Sequence, residues 1–414
     1  MTPRLFIHVQ HLLGIGHMER AFAIASACRG LGFDVTMATG RGSCTADGRD
    51  RPVSHWVPLP DLRSADAGFS VLLDENGNPA GDALWTRRRE ALMDGFRTAE
   101  PDLLLVEGFP FARRRFRHEL LPLLQLARER GVPAACSVRD ILQPKTAPDR
   151  IEECLSWANG LFHLVLVHGD PRVARLEDSF AAAGRLEIPI VYTGYVAKPD
   201  GPDDGATGRD EVIVSAGGGA VGAALFRAAL EAAALPGGDR WRWRLLVGRN
   251  MAMEEGPAPA HVTVEPARPD FRSLLSRAAV SVSQAGYNTA VDLIASGAPA
   301  VLCPFAEGGQ KEQAMRADRM AAVLGASVLP ETGLTGAALL AAVAAQAGRG
   351  RRTPLNDRTP LNDRAAANDR AAPIDLAGAE RTARMLNLCH TGTIAAAAGL
   401  GLPAEERPDE RGQS

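Results

Sequence analysis

The sequence predicts an α/β protein made of two doubly wound, parallel-sheet domains. Short, largely apolar runs, such as Leu5 to Val9, Leu103 to Val106 and Leu164 to Val167, alternate with helical stretches, as strands buried on both faces do. At 414 residues the chain is long for a single core. A stretch with no apolar periodicity, AKPDGPDDGATGRD at 197–210, divides one such alternation from the next. The expected organisation is a first domain over 1–196, a linker over 197–210 and a second domain over 211–350. A low-complexity insertion over 351–375, a helix over 376–390 that returns to the first domain, and a polar tail over 391–414 complete it.

In the first domain, Leu5 to Val9 reads as a central strand. It is followed by a loop containing Gly14-x-Gly16-His17-x-x-Arg20 and a helix from Met18 that buries Ala21, Ile24, Ala25 and Cys28. Phe33 to Ala38 is the second strand, so the unit is βαβ with a glycine turn at the carboxyl edge of the sheet. The pattern lacks the third glycine of a dinucleotide fingerprint; an acid at Asp34 keeps a dinucleotide site as a lesser alternative. His17 stands at a helix N-terminus, where an imidazole can act as a general base or donate to a leaving phosphate. A capping or packing histidine is the plainer reading. Residues 40–81 read as long loops around a short strand at Trp56 to Leu59. Further strands end in Glu107-Gly108, in Arg139-Asp140, and in His168. Glu107 and Asp140, acids at strand carboxyl ends, are reserve candidates for the base; helix capping is the alternative for both. The basic runs Arg87-Arg88-Arg89 and Arg113-Arg114-Arg115-x-Arg117 read as solvated helix faces, because acids lie nearby. An anionic acceptor at a membrane surface is the other reading.

In the second domain, Val212 to Val214 leads into Gly217-Gly218-Gly219 and a helix over Ala223 to Ala234. Strand, glycine turn and helix together make an anion cradle. Arg244 to Val247 reads as a strand ending at Gly248-Arg249, where a surface salt bridge is one reading of the arginine. The densest pattern lies at 281–317. A strand at Ala279 to Val282 turns at Gln284-Ala285-Gly286 into a helix over Asn288 to Ser296, and a second buried strand, Pro299 to Pro304, leads through Gly309-Gln310 to another helix. Both turns precede helix N-termini, where unpaired N–H groups and the helix dipole favour phosphate. Asn288 and Thr289 can cap or donate. Asp292, one turn past Asn288, suits a ribose diol, since a carboxylate accepts two hydroxyl hydrogen bonds. Beyond Gly333 to Gly348, four hexads beginning at Arg352 (RTPLND, RTPLND, RAAAND, RAAPID) fit neither helix nor strand period and read as a mobile surface insertion.

Composition narrows the function. A net charge of −3 leaves no nucleic-acid footprint. Six cysteines without a C-x-x-C pair argue for a reducing cytoplasm and against a disulfide framework or zinc site. No run is long enough to span a membrane, and the N-terminus is too polar for a signal peptide. Asp203-Asp204, the linker's acid pair, reads as solvated charge. No Asp-x-Asp follows a strand, so no metal site is expected.

The segment Ala285-Gly286, Thr289, Asp292, Pro304, Gly309-Gln310, Gln313-Ala314 resembles the donor site of the GT-B glycosyltransferases, most closely glycosyltransferase family 28, which includes the peptidoglycan N-acetylglucosaminyl transferases. The family's Glu is Asp292 here, its loop Asp is Gly309 and its loop Asn is Gln313. Gly14-x-Gly16-His17-x-x-Arg20 resembles the N-terminal loop of GT-B sugar-nucleotide enzymes, including hydrolases of UDP-sugars. The resemblance implies two Rossmann-like domains facing across a cleft, an acceptor in the first and a nucleotide sugar in the second. Gly217 to Gly219 and Arg249 would lie by the diphosphate, and Val262 and Phe271 near the base. It implies an inverting, metal-independent, cytoplasmic hexosyltransferase using a UDP-sugar as substrate, with no cofactor and a hydroxyl acceptor, and with the inner membrane face as an alternative place of work. A nucleotide-sugar hydrolase of the same fold and a non-catalytic sugar-nucleotide-binding protein are the rival readings.

Overall fold

A computed structural model describes residues 2–10, 12, 16–40, 42, 52–64, 71–198, 201–216, 222–248, 258–305, 310–351, 356–357 and 374–392. The chain forms two parallel sheets, each covered by helices. The first lobe contains β1 (Arg4–His8), α1 (Gly16–Gly30), β2 (Asp34–Gly40), β3 (His55–Leu59), the short hairpin β4 (Arg63–Ser64) and β5 (Leu72–Leu73), α2 (Asp82–Ala99), β6 (Leu103–Glu107), α3 (Arg117–Glu129), β7 (Ala134–Arg139), α4 (Pro148–Leu161), β8 (Leu164–His168), α5 (Leu176–Ser179) and β9 (Ile190–Tyr192). The second contains β10 (Glu211–Ser215), α6 (Ala223–Ala234), β11 (Arg242–Val247), β12 (Val262–Pro266), α7 (Phe271–Leu275), β13 (Val280–Ser283), α8 (Tyr287–Ser296), β14 (Ala300–Leu302), α9 (Glu312–Leu324), β15 (Ser327–Val328) and α10 (Gly336–Arg349). The backbone of β16 (Asn356–Asp357) pairs with β17 (Ile374–Asp375), and α11 (Gly378–His390) follows.

The strand orders are β3-β2-β1-β6-β7-β8-β9 and β12-β11-β10-β13-β14-β15, with parallel pairing throughout. In each sheet the order reverses once, between β1 and β6 in the first and between β10 and β13 in the second. Connections leave in opposite directions at such a point and open a crevice beyond the strand carboxyl ends. The central strands show why the runs are largely apolar. Phe6 points into one core with Leu104 and Val106, while Leu5 and Ile7 point into another with Ile24 and Ala25 on α1. α11 closes that second core: Ala383 and Leu386 join Ala21, Ile24 and Cys28.

Several expectations are corrected. The part of the linker at 201–210 is fastened to the second lobe. Asp203 pairs with Arg277 at 2.7 Å and Asp204 with Arg268 at 3.3 Å, so these acids, exposed as expected, are also held by arginines of the second lobe. Arg88 does not face solvent; it is fully buried against Glu119. Its neighbours fit the exposed reading better, with Arg87 near Glu75 at 3.8 Å and Arg114 held by Glu153. Asp34 begins β2, at the sheet edge opposite the glycine loops, where no dinucleotide ribose would lie. Most of the hexad insertion lies outside the described residues, but its end is packed: Ile374 and Asp375 are buried, and Asp375 O accepts from Tyr195 N at 2.8 Å. Among the described residues no helix is long and apolar enough to cross a membrane.

Candidate active site in the cleft

The crevice of the first sheet brings together residues from both sides of its order reversal. His17, in the first turn of α1 after β1, meets Glu107, the last residue of β6: Nδ1 to Oε1 is 2.8 Å. Arg20, one turn further along α1, donates to the same oxygen. Glu107 is 6% exposed, and the His17 side chain 21%, so the carboxylate is enclosed and the imidazole reaches the cleft.

Electrostatics decide the protonation states. Burial raises the Glu107 carboxyl, but the charge that His17 carries once protonated in acid, the charge of Arg20 and the hydrogen bond from His17 outweigh it and hold Glu107 well below the usual carboxylate range. Arg20 Nη2 also stands 3.2 Å from His17 Nδ1, but it donates to Glu107; an ionised carboxylate only accepts, so the shorter contact assigns the imidazole proton to Nδ1 and leaves Nε2 its lone pair. Burial lowers His17 to about 4; Glu107 pulls the other way, and Arg113 and Arg20 add to the fall. The pair is therefore a neutral imidazole oriented by a carboxylate, with its basic nitrogen available, the arrangement that serves proton abstraction from a hydroxyl.

The second sheet's crevice stands opposite, and the two lobes touch at the candidate groups. A Cβ on Gly16 would lie 3.1 Å from Asn288 Nδ2, so the glycine allows this approach. The Arg20 guanidinium lies 5.1 Å from the ring centre of Tyr287, the first residue of α8. Tyr287 Oη accepts from Val196 N at 2.9 Å.

Of the predicted donor residues, Gln284 and Ala285 are buried at the end of β13, and Gly286 is the N-cap of α8. A Cβ on Gly286 would meet Thr289 Oγ1 at 3.8 Å and nothing nearer, which leaves room at this helix end. Asn288 and Thr289 lie in the first turn of α8, half-buried. Asp292 is engaged already: Arg272 on α7 donates from Nε and Nη2 to Oδ1, both at 3.0 Å. Gln313 Oε1 accepts from Phe305 N at 3.1 Å, which ties the first turn of α9 to the residues just past β14, and Gln310 is half-buried. Phe271 packs against the second lobe's core, and Val262 opens β12 at the edge away from the glycine turns. Gly14, Gly217, Gly218, Gly219, Arg249 and Gly309 lie outside the described residues.

Asp140 has a different place from the one expected. It is fully buried, and Arg316 on α9 donates to it from Nη2 at 2.8 Å and from Nε at 3.1 Å. A carboxylate closed off by a guanidinium has no path to an acceptor proton; it joins the lobes instead. Arg139 and Glu312 form a second ion pair across the same gap.

Sequence reasoning passed over Arg316, Tyr287 and Arg272. For Arg316 a signal exists. It falls beside Ala317 on the face of α9 that carries Met320 and Leu324, so helical periodicity places a guanidinium among core residues. No such periodicity marks Arg272.

Comparison with known proteins places this geometry. Residues 217–361 match the glycosyltransferase family 28 C-terminal domain. The crystal structure of the glycotransferase of kitacinnamycin superposes with a TM-score of 0.58 at 18% identity, over 96% of this chain and 98% of that one. The Streptomyces sp. SF2575 glycosyltransferase SsfS6, complexed with thymidine diphosphate, gives 0.57 at 15% identity, over 94% and 99%. MurG of Acinetobacter baumannii gives 0.51 at 13% identity, over 84% and 93%. No curated protein matches the sequence. These likenesses show the GT-B fold.

Proposed function

We propose that this chain, a glycosyltransferase with the GT-B fold and a family 28 C-terminal domain, moves a sugar from a nucleoside-diphosphate donor to a hydroxyl acceptor by direct displacement. The observation that carries the reading is the His17–Glu107 pair at 2.8 Å, set at the first sheet's order reversal and facing the α8 helix end of the second lobe. His17 Nε2 takes the acceptor's hydroxyl proton. The acceptor oxygen then bonds to the anomeric carbon on the face opposite the diphosphate, whose bond to that carbon breaks with both electrons leaving on the phosphate oxygen. The anomeric configuration inverts. Glu107 stabilises the imidazolium that forms, and amides at the α6 and α8 helix ends meet the leaving diphosphate without a metal ion.

The donor is a UDP-sugar on the resemblance of 281–317. The thymidine diphosphate held by one similar structure makes dTDP-sugars the first comparison. The test is mass spectrometry of reactions with UDP- and dTDP-sugars and a panel of hydroxylated acceptors, with the product's anomeric configuration read by NMR. A glycoside of inverted configuration that falls about 10²–10⁴-fold in yield rate with His17→Ala supports the assignment. Unchanged turnover in His17→Ala refutes the base. Free sugar as the sole product makes the protein a hydrolase, and nucleotide binding without turnover makes it a binding protein.

A further inference from the structure

Arg316 reaches two places that belong to different lobes. Its Nη1 donates to Ala285 O at 3.0 Å, the middle of the turn that opens α8. Its Nε and Nη2 clasp Asp140 at the end of β7, and Nη2 also lies 3.4 Å from Ile141 O. Both charged groups are fully buried. Asp140 is itself fixed. Its Oδ1 accepts from Ile141 N at 2.7 Å, Tyr195 Oη lies 3.4 Å from Oδ2, and a Cβ on Gly169 would come within 2.8 Å of its own Cβ. The turn is also held from its other side, where Tyr287 Oη takes Val196 N. A guanidinium is suited to this, because its donors are fixed in one plane and cannot swing independently.

We propose that Arg316 is a positioning residue that sets the Gln284-Ala285-Gly286 turn by the seating of one lobe on the other. Any shift of β7 relative to α9 moves Asp140, and the planar guanidinium carries that shift to the Ala285 carbonyl. The turn presents its helix end to a donor only when the lobes are seated. This rests on the donor reading of 281–317 given above.

The test is hydrogen–deuterium exchange on the full chain without ligand, using Asp140→Asn, Arg316→Lys and the apolar pair Asp140→Leu with Arg316→Met, which leaves no buried charge if a single change does not fold. The expected result is exchange about tenfold faster at the amides of 290–293, the first of which bonds back to the turn (Ala290 N to Gly286 O, 3.0 Å), in the second lobe from a change made in the first, with 243–247 unaltered. Lysine, which keeps the charge and loses the fork, gives a smaller increase. In calorimetry with UDP or dTDP the affinity falls about tenfold, and in turnover the donor KM rises while kcat stays within a fewfold range. Unchanged exchange at 290–293 in any folded variant overturns the proposal, and so does acceleration spread evenly over both lobes, the mark of general destabilisation. If exchange quickens locally but the wild type takes up no nucleoside diphosphate, the coupling holds and the donor reading fails.

Discussion

Replacing Glu107 by glutamine tests the chemistry most directly, because it removes one charge and keeps the shape. On the proposed mechanism the imidazole is neutral before reaction and becomes cationic as the acceptor proton arrives. The carboxylate 2.8 Å from Nδ1 meets that new charge. With charge centres about 4 Å apart and an effective dielectric near 20, the attraction is about 4 kcal/mol. Each 1.36 kcal/mol is tenfold in rate, so kcat should fall about a thousandfold. The amide can still hold the ring, so donor KM should stay within a fewfold range. Arg20, 3% exposed, loses its counter-charge, and the melting temperature should drop by several degrees. The assay is initial-rate glycoside formation over a donor series, with a thermal melt on the same protein. The double variant His17→Ala/Glu107→Gln should be no slower than His17→Ala alone, since both act through one proton transfer. A Glu107→Gln enzyme within threefold of wild-type kcat would show that the carboxylate does not serve the imidazole.

Other outcomes follow from the same geometry. With His17 lowered to about 4, the base is unprotonated through the neutral range, so kcat/KM should stay flat from pH 8 to about 5 and fall only below that, not near 6.5. Because the unfolded chain binds the proton first, the same group costs stability as pH drops from 6.5 towards 4, up to about 3 kcal/mol, which urea titrations across that window would measure. Gly16→Val places two methyls where Asn288 Nδ2 stands 3.1 Å from the added Cβ; calorimetry should show nucleoside-diphosphate affinity reduced about tenfold. Arg272→Met frees the Asp292 carboxylate it now aims from 3.0 Å; nucleotide affinity should fall about five- to tenfold while a UDP-to-base comparison shows the loss confined to ligands with a ribose.

The sheets were legible because their information is local. Leu103 to Val106 is apolar without interruption and Leu5 to Val9 is broken only by His8, as strands covered on both faces require, and the glycine turns mark their carboxyl ends. His17 and Glu107 were each legible singly, by their place at strand or helix ends. Their contact was not, because it joins residues 90 apart through the strand order, and nothing in either segment states that order. Asp140 shows the same gap from the other side. A strand-end acid looks alike whether it faces a cleft or a buried arginine 176 residues on. The linker's ion pairs were hidden for a related reason. Asp203 and Asp204 have the composition of free chain, and the arginines at 268 and 277 that hold them belong to a later segment.

The helix Gly378–His390 has a practical consequence. The polypeptide passes between the halves twice, and the passages lie side by side where Val196 bridges Ala377. A fragment ending near residue 196 would bare the α1 stripe that Ala383 and Leu386 cover. Anyone exchanging halves between enzymes of this kind to graft a new donor preference should therefore carry the final helix with the front half, as a third piece whose splice point falls at 376–377 rather than at the end of the chain.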